Sequence, residues 1–282
     1  MINIRRSSAF GDVLWTEPVV RYFLENNKRV KIITDFPEAF YNYPDSNLFF
    51  GKKLKNIDKG ISSFKKKIGL KGYVIDLNKA YERRPKMHVL EAYFEQAGIK
   101  DTPLTYPRLY LTEDEKKNKF NKPYVVLHIE KNRLNYRSIY GVNWAEVVKF
   151  ITEQGIEVIQ LSTTGEDIYG KWVKTASFRD VMSVIYNSKI FIGADAGPSH
   201  IAASLARPSL IFFGAINPKY RHLQSFNGSF LQQPCEFAGC YHEVVSLEGQ
   251  VCRLVGSAGI PKCSLHTTEM VIERINALLS SK

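Results

Sequence analysis

The chain lacks any apolar run approaching the roughly 20 residues that a bilayer-spanning helix needs. It is also poor in acid relative to base: its 282 residues carry 39 Lys and Arg against 28 Asp and Glu, a formal net charge of +11. Met1 to Arg6 holds two arginines with no apolar core behind them, which argues against a secretory signal and for a cytoplasmic chain. Internal repeats and low-complexity tracts are missing. No G-x-G-x-x-G follows the first apolar run, which argues against a nicotinamide dehydrogenase. Cysteine is scarce and confined to one stretch, Cys235, Cys240, Cys252 and Cys263. Disulfides are disfavoured in a cytoplasmic chain. The gaps (C-x4-C, then x11, then x10) match no common zinc pattern. With His242 and His266 close by in sequence, the reading stays open between reduced thiols that pack and a zinc cluster.

What is present suits a folded protein, with 44% hydrophobic and 24% charged residues. At roughly 100–200 residues per domain, two domains are the natural expectation. The chain alternates short β-rich runs with helical patterns, the signature of parallel α/β architecture. Met1–Arg6, Arg29–Thr34 and Gly72–Leu77 read as strands, with a helix around Met87–Ala97 ended by Gly98. From Thr102 to Lys122 the pattern lapses among prolines and charges, as an interdomain linker would. It restarts with strands at Tyr124–Ile129, Ile156–Leu161, Lys189–Gly193 and Ser209–Phe213. Helices are expected at Asn143–Gln154, Phe178–Asn187, Ser199–Leu205 and Thr267–Leu279. The expected domains are therefore residues 1–115 and 116–282, each a Rossmann-like parallel sheet with helices, facing one another across a cleft.

Much of the positive charge is local. Between Gly51 and Gly72 eight lysines, among them Lys65, Lys66 and Lys67, face the single acid Asp58. Such a run is either a solvated face or a dock for an acidic acceptor or a membrane surface. Without a nucleic-acid-binding motif the lysines do not point to nucleic acid.

Two segments lie where open α/β sheets bind ligands, at the carboxyl ends of strands. In the first, Ser7, Ser8 and Gly11 favour a tight polar loop, and Asp12 falls near a helix start, where it either caps the helix or does chemistry. In the second, GADAGPSHIAASLARPSLIFFGAINP, a strand end turns through Asp195, Ala196, Gly197 and Pro198 into a helix. A helix start of this kind suits an anion such as a nucleotide diphosphate.

Both segments resemble glycosyltransferase family 9, the ADP-heptose:lipopolysaccharide heptosyltransferases. The first matches a Ser/Gly-rich loop followed by Gly-Asp-Val/Ile-Leu, a Thr and a Pro, here Gly11, Asp12, Val13, Leu14, Thr16 and Pro18. The second matches Asp-Ser/Thr-Gly-x-x-His, a small-residue helix, a Pro-led strand and Phe/Tyr-Gly. Here these are Asp195, Gly197, His200, Ala202, Ala203, Pro208, Phe213 and Gly214. One position departs from the pattern: Ala196 stands where the family has a hydroxyl. The cysteine-bearing tail before the last helix is similar to the family as well.

The resemblance implies the GT-B fold and an inverting, metal-independent transfer of a sugar from a nucleotide sugar, ADP-heptose or a relative, with no further cofactor. It implies Asp12 as the general base that takes the acceptor hydroxyl's proton, with Ser8 and Gly11 on the acceptor side; Lys65, Lys66 and Lys67 are placed on the acceptor side by their charge alone. Asp195 would bind sugar hydroxyls and Gly197 the diphosphate. His200 would either order the loop or touch phosphate. A basic residue before a tryptophan, one of Lys131, Arg133 and Arg137 ahead of Trp144 with Arg137 favoured, would offset leaving-group charge. Thr164 and Gly165, after the next strand, either approach the nucleotide or form an ordinary turn. The implied acceptor is an anionic surface glycan or glycolipid, a lipopolysaccharide core above all, met at the inner face of the cytoplasmic membrane. Another GT-B nucleotide-sugar enzyme, such as an epimerase, and a non-catalytic polyanion binder are the competing readings.

Overall fold

The computed structural model describes residues 1–51, 74–132, 134–166, 168–175, 177–243 and 252–280. The lysine run that includes Lys65, Lys66 and Lys67 lies outside them, as does Arg133. The chain divides into two compact units, Met1–Leu111 and Thr112–Lys282.

The first unit has four parallel strands, β1 (Ile2–Arg5), β2 (Val30–Ile33), β3 (Leu48–Phe50) and β4 (Val74–Asp76), in the order β3-β2-β1-β4. Their register pairs Ile4 with Ile32 and with Ile75. Helices α1 (Phe10–Leu14), α2 (Glu17–Glu25) and α3 (Val89–Ala97) accompany this sheet. Pro18 sits in the first turn of α2, where its missing N–H costs nothing. On α3, His88 Nδ1 accepts from the Leu90 amide and Glu91 reaches back to the His88 amide, while Gly98 closes the helix at φ 74°. A buried carboxylate, Glu17, ties α2 to the segment after α3: it accepts from the Arg108 amide at 3.0 Å and from the Tyr43 hydroxyl at 2.9 Å. Burial raises its pKa, against the pull of Arg21 and these donors.

The second unit opens with a short helix, α4 (Glu113–Lys116), capped by Thr112 and anchored by Glu115 to Arg179. Six parallel strands follow: β5 (Tyr124–His128), β6 (Glu157–Ser162), β7 (Lys171–Lys174), β8 (Phe191–Ala194), β9 (Ser209–Phe212) and β10 (Gly228–Leu231). They lie in the order β10-β9-β8-β5-β6-β7. The central strands are buried on both faces, so they read as unbroken apolar runs. Helices α5 (Trp144–Glu153), α6 (Phe178–Tyr186), α7 (Gly197–Ser204) and α8 (Thr268–Ser280) complete the unit. Trp144, Val147 and Ile151 of α5 share one core with Val271 and Ile275 of α8 and with Leu127, Ile192 and Phe212 of the sheet. Each such side chain stabilises the fold by roughly 1.5–3 kcal/mol on burial.

Two α/β units with parallel sheets are the expected class. Strands β3, β7 and β10 add to the expected set. The edge strand β7, Lys-Trp-Val-Lys, is largely exposed and keeps its edge charged.

Candidate donor and acceptor sites

Strand order locates both candidate sites. In the second unit the chain runs from β5 outward to β6 and β7, then returns to the other side of β5 with β8. The order therefore reverses between β5 and β8. In the first unit it reverses between β1 and β4. Loops leaving the carboxyl ends of the two strands at such a reversal splay apart and leave a crevice, where ligands of open α/β sheets bind.

At the β1/β4 reversal, the loop after β1 carries Arg6 and leads into Asp12 on α1. Arg6 is only 4% exposed. Its guanidinium donates to Asp12 Oδ2 and, at 3.3 Å, to Glu82 in the segment after β4. The Tyr81 hydroxyl donates to the same Asp12 oxygen at 3.2 Å, and the Arg6 guanidinium lies over the Tyr81 ring, 5.6 Å from its centroid. Burial opposes the charge on Arg6, but the surrounding Tyr93, Asp12, Tyr81 and Glu82 outweigh it and raise the arginine's pKa. Asn78 fastens the two segments together, its Oδ1 accepting from the Ser7 amide at 3.0 Å. Ahead of Asp12, Ala9 takes φ 64°, a conformation L side chains rarely adopt. Ser8 is exposed, and Gly11 and Asp12 are half-buried.

At the β5/β8 reversal, Asp195 follows β8 and is 5% exposed. Arg137, from the loop after β5, donates to the Asp195 carbonyl at 2.9 Å and to Oδ2 at 3.1 Å. His200 Nε2 stands 3.6 Å from Oδ1. Burial works against the Asp195 charge, but Arg137, His200, Arg221 and His222 together lower its pKa. Two polar atoms of this pair, Asp195 Oδ1 and Arg137 Nε, are buried without a hydrogen-bond partner, a cost that structures ordinarily avoid. Gly193 makes the close strand approach possible, since a Cβ there would sit 2.6 Å from the His128 carbonyl oxygen.

The start of α7 is built without a side-chain cap at Ala196. Instead Ser199 Oγ accepts from the Ala196 amide at 3.2 Å and donates to the Ala196 carbonyl at 2.7 Å. Gly197 is the first residue of α7.

Asp12 thus meets Arg6, and Asp195 meets Arg137 and His200. Thr164 and Gly165 bond elsewhere: their amides point to Ser162 Oγ at 3.3 and 3.2 Å, while Glu130 Oε1 accepts from the Thr163 hydroxyl at 2.6 Å and from the Thr164 amide at 3.3 Å. The four cysteines are free thiols. Burial pushes the Cys263 thiol up to about 11. Among the described residues no three His, Cys, Asp or Glu side chains are grouped to hold a metal, and no helix is long and apolar enough to cross a membrane.

Sequence reasoning passed over Arg6, Tyr81, Glu82, Arg221 and His222. Arg6 stands six residues before Asp12 and could have been suspected as its partner. Tyr81 and Glu82 could not, because only the pairing of β1 with β4 brings them in.

The fold is that of GT-B glycosyltransferases, two parallel-sheet α/β units in sequence. A sequence profile described as glycosyltransferase family 9 (heptosyltransferase) matches residues 77–227, and the chain belongs to that family. The match takes in Arg137, Asp195 and His200 and leaves out Asp12 and the four cysteines. The chain is 25% identical over 191 residues to lipopolysaccharide heptosyltransferase 1 of Campylobacter coli, a stretch covering 62% of this chain and 52% of that protein. It therefore spans about half the length of that curated relative. Among solved structures, the iron-containing dodecameric heptosyltransferase TibC in complex with ADP-D-beta-D-heptose superposes with a TM-score of 0.75 at 14% identity, over 98% of this chain and 76% of that one. The ADP-heptose lps heptosyltransferase II of E. coli gives 0.65 at 14% identity, over 99% and 98%.

Proposed function

We propose that the chain is an inverting, metal-independent glycosyltransferase that moves a heptose from ADP-heptose to a lipopolysaccharide core or another anionic surface glycan. The observation that carries this reading is the Arg137–Asp195 pair at the β5/β8 reversal, with one buried acceptor and one buried donor left unmatched. An orphan carboxylate oxygen suits a sugar hydroxyl, and an orphan guanidinium N–H suits a phosphate oxygen.

In this reading Asp12 is the general base. Both its side-chain bonds, from Arg6 and Tyr81, fall on Oδ2, so Oδ1 is the oxygen that takes the proton. The acceptor oxygen loses its proton to Asp12 and forms a bond to the anomeric carbon from the face opposite the diphosphate. The bond from that carbon to the diphosphate oxygen breaks, and its electron pair leaves with ADP. Arg137 offsets the charge that grows there. Arg6 holds the base in one orientation, which favours attack along one line. Work at the cytoplasmic membrane face, through peripheral contact, belongs to the same reading and rests on the basic character of the chain.

The test is calorimetry of ADP, UDP, GDP and CDP binding, followed by an assay with ADP-heptose and stripped core acceptors. ADP is expected to bind in preference to the other three, and Asp12→Asn to lose transfer while keeping ADP affinity. Absence of binding to any of the four, or full transfer by a folded Asp12→Asn chain, overturns the proposal.

A further inference from the structure

His200 does not stand alone beside Asp195. Its ring stacks on that of His222, with centroids 5.1 Å apart and planes 19° from parallel. His222 is 3% exposed. Its other sides are walled by aromatic rings, Phe226 at 5.0 Å, Phe230 at 5.4 Å and Phe213 at 5.9 Å. Phe230 lies on β10, Phe213 directly follows β9 and Phe226 lies just before β10, so His222 is held from the sheet as well as from its own segment. The loop that carries it, from Gly214 to His222, also braces the other side of the site. Its Ala215 amide donates to the Tyr136 carbonyl at 3.3 Å, next to Arg137. Gly214 packs so closely there that a Cβ would overlap the Tyr136 carbonyl oxygen. One loop thus supports both groups that touch Asp195.

We propose that His222 is a positioning residue for the donor site, holding the His200 ring against Asp195 by stacking. This rests on the donor-site reading above. The chemistry required of residue 222 is a flat, buried ring of about this size, because offset stacking holds a neighbouring ring's plane where an aliphatic side chain does not.

The experiment compares His222→Phe, which keeps a ring, with His222→Leu, which does not. Two readouts are taken on the full chain: the ring-proton resonances of His200 by NMR, and the affinity for ADP. His222→Phe should hold ADP within about twofold of the parent and leave the His200 protons shifted upfield. His222→Leu should move those protons downfield and weaken ADP by about three- to tenfold, the range that one aromatic pair supports. A folded His222→Leu chain with parental His200 resonances and parental ADP affinity overturns the proposal. So does a Phe variant that behaves like the Leu variant. If the Leu chain does not fold, the parent still decides: cross-relaxation between the two imidazoles supports the stack, and its absence defeats it. Should the parent fail to bind ADP, the donor reading falls, while the His200 resonances still judge the stack.

Discussion

Arg6, itself buried, forms an ion pair with the half-buried Asp12 six residues away, with Glu82 as a second acid on the same guanidinium. Removing one member of such a group leaves the others desolvated without compensation, at a cost of about 3 kcal/mol. Arg6→Met should therefore lower the unfolding free energy by about that much. Arg6→Met combined with Asp12→Asn should recover part of the loss, because one of the two orphaned acids is then neutral. Urea unfolding of the parent, the two single variants and the double variant checks this; strict additivity would show that the pair is not coupled.

Asp195 supplies a pH dependence. Its carboxyl titrates below the ordinary aspartate value because Arg137, His200, Arg221 and His222 outweigh its burial. Such a group adds stability that is fully present above about pH 3.9, its unfolded value, and is lost as pH falls through the lower folded value. Arg137→Ala removes the cation that donates to it and raises the folded value toward the unfolded one, so the variant should lose less stability to acid, over a narrower interval below about pH 3.9. Acid-unfolding curves of parent and variant should separate accordingly, and coincident curves would count against the pairing.

His266 works in a different window. Burial pushes it down to about 4, from about 6.5 in an unfolded chain. The fold prefers the neutral ring, so stability is complete above about pH 6.5 and declines as pH drops toward 4, because the unfolded chain takes the proton first. His266→Gln should flatten the stability profile across that interval. If the parent profile is already flat between pH 6.5 and 4, the assignment is wrong.

Ala196 is the N-cap of α7 with no acceptor on its side chain, and its extended backbone, φ −157° and ψ 177°, is one a capping serine adopts. Ala196→Ser should add about 1 kcal/mol of stability and, on the donor reading, tighten ADP. Thermal melts and calorimetry would show it. A serine that leaves both unchanged would mean that the Ser199 hydroxyl already does the work.

The helices and central strands were legible because their signals are local. Asn143 caps α5 as its sequence position suggests, its Oδ1 accepting from the Glu146 amide at 3.4 Å, and the apolar runs of β5 and β9 need no partner to be recognised. The edge strands β3, β7 and β10 were not; Lys171–Lys174, for one, carries neither an apolar run nor alternation. Asp12 and Asp195 were visible as types of residue in a motif, but their surroundings were not. Glu82 is 76 positions from Arg6 and Asp195 58 from Arg137, and only strand order brings each pair together. The stack of His200 on His222 was hidden for a further reason: nothing in a helix pattern reports what lies across from it.

The pairing of β1 with β4 also has a bearing on how the chain comes off the ribosome. The loop that holds Asp12 is synthesised before its partners Tyr81 and Glu82, which arrive only after β2, β3 and everything between have been made. Until then Glu82 and Tyr81 are not there to hold Arg6 and Asp12, and no tertiary contact with them enforces the unfavourable conformation of Ala9. Closing so long a loop comes late because its entropy must be met before the contact repays it. The Asp12 end of the first unit therefore takes its folded form only once a segment 76 positions beyond Arg6 has been made.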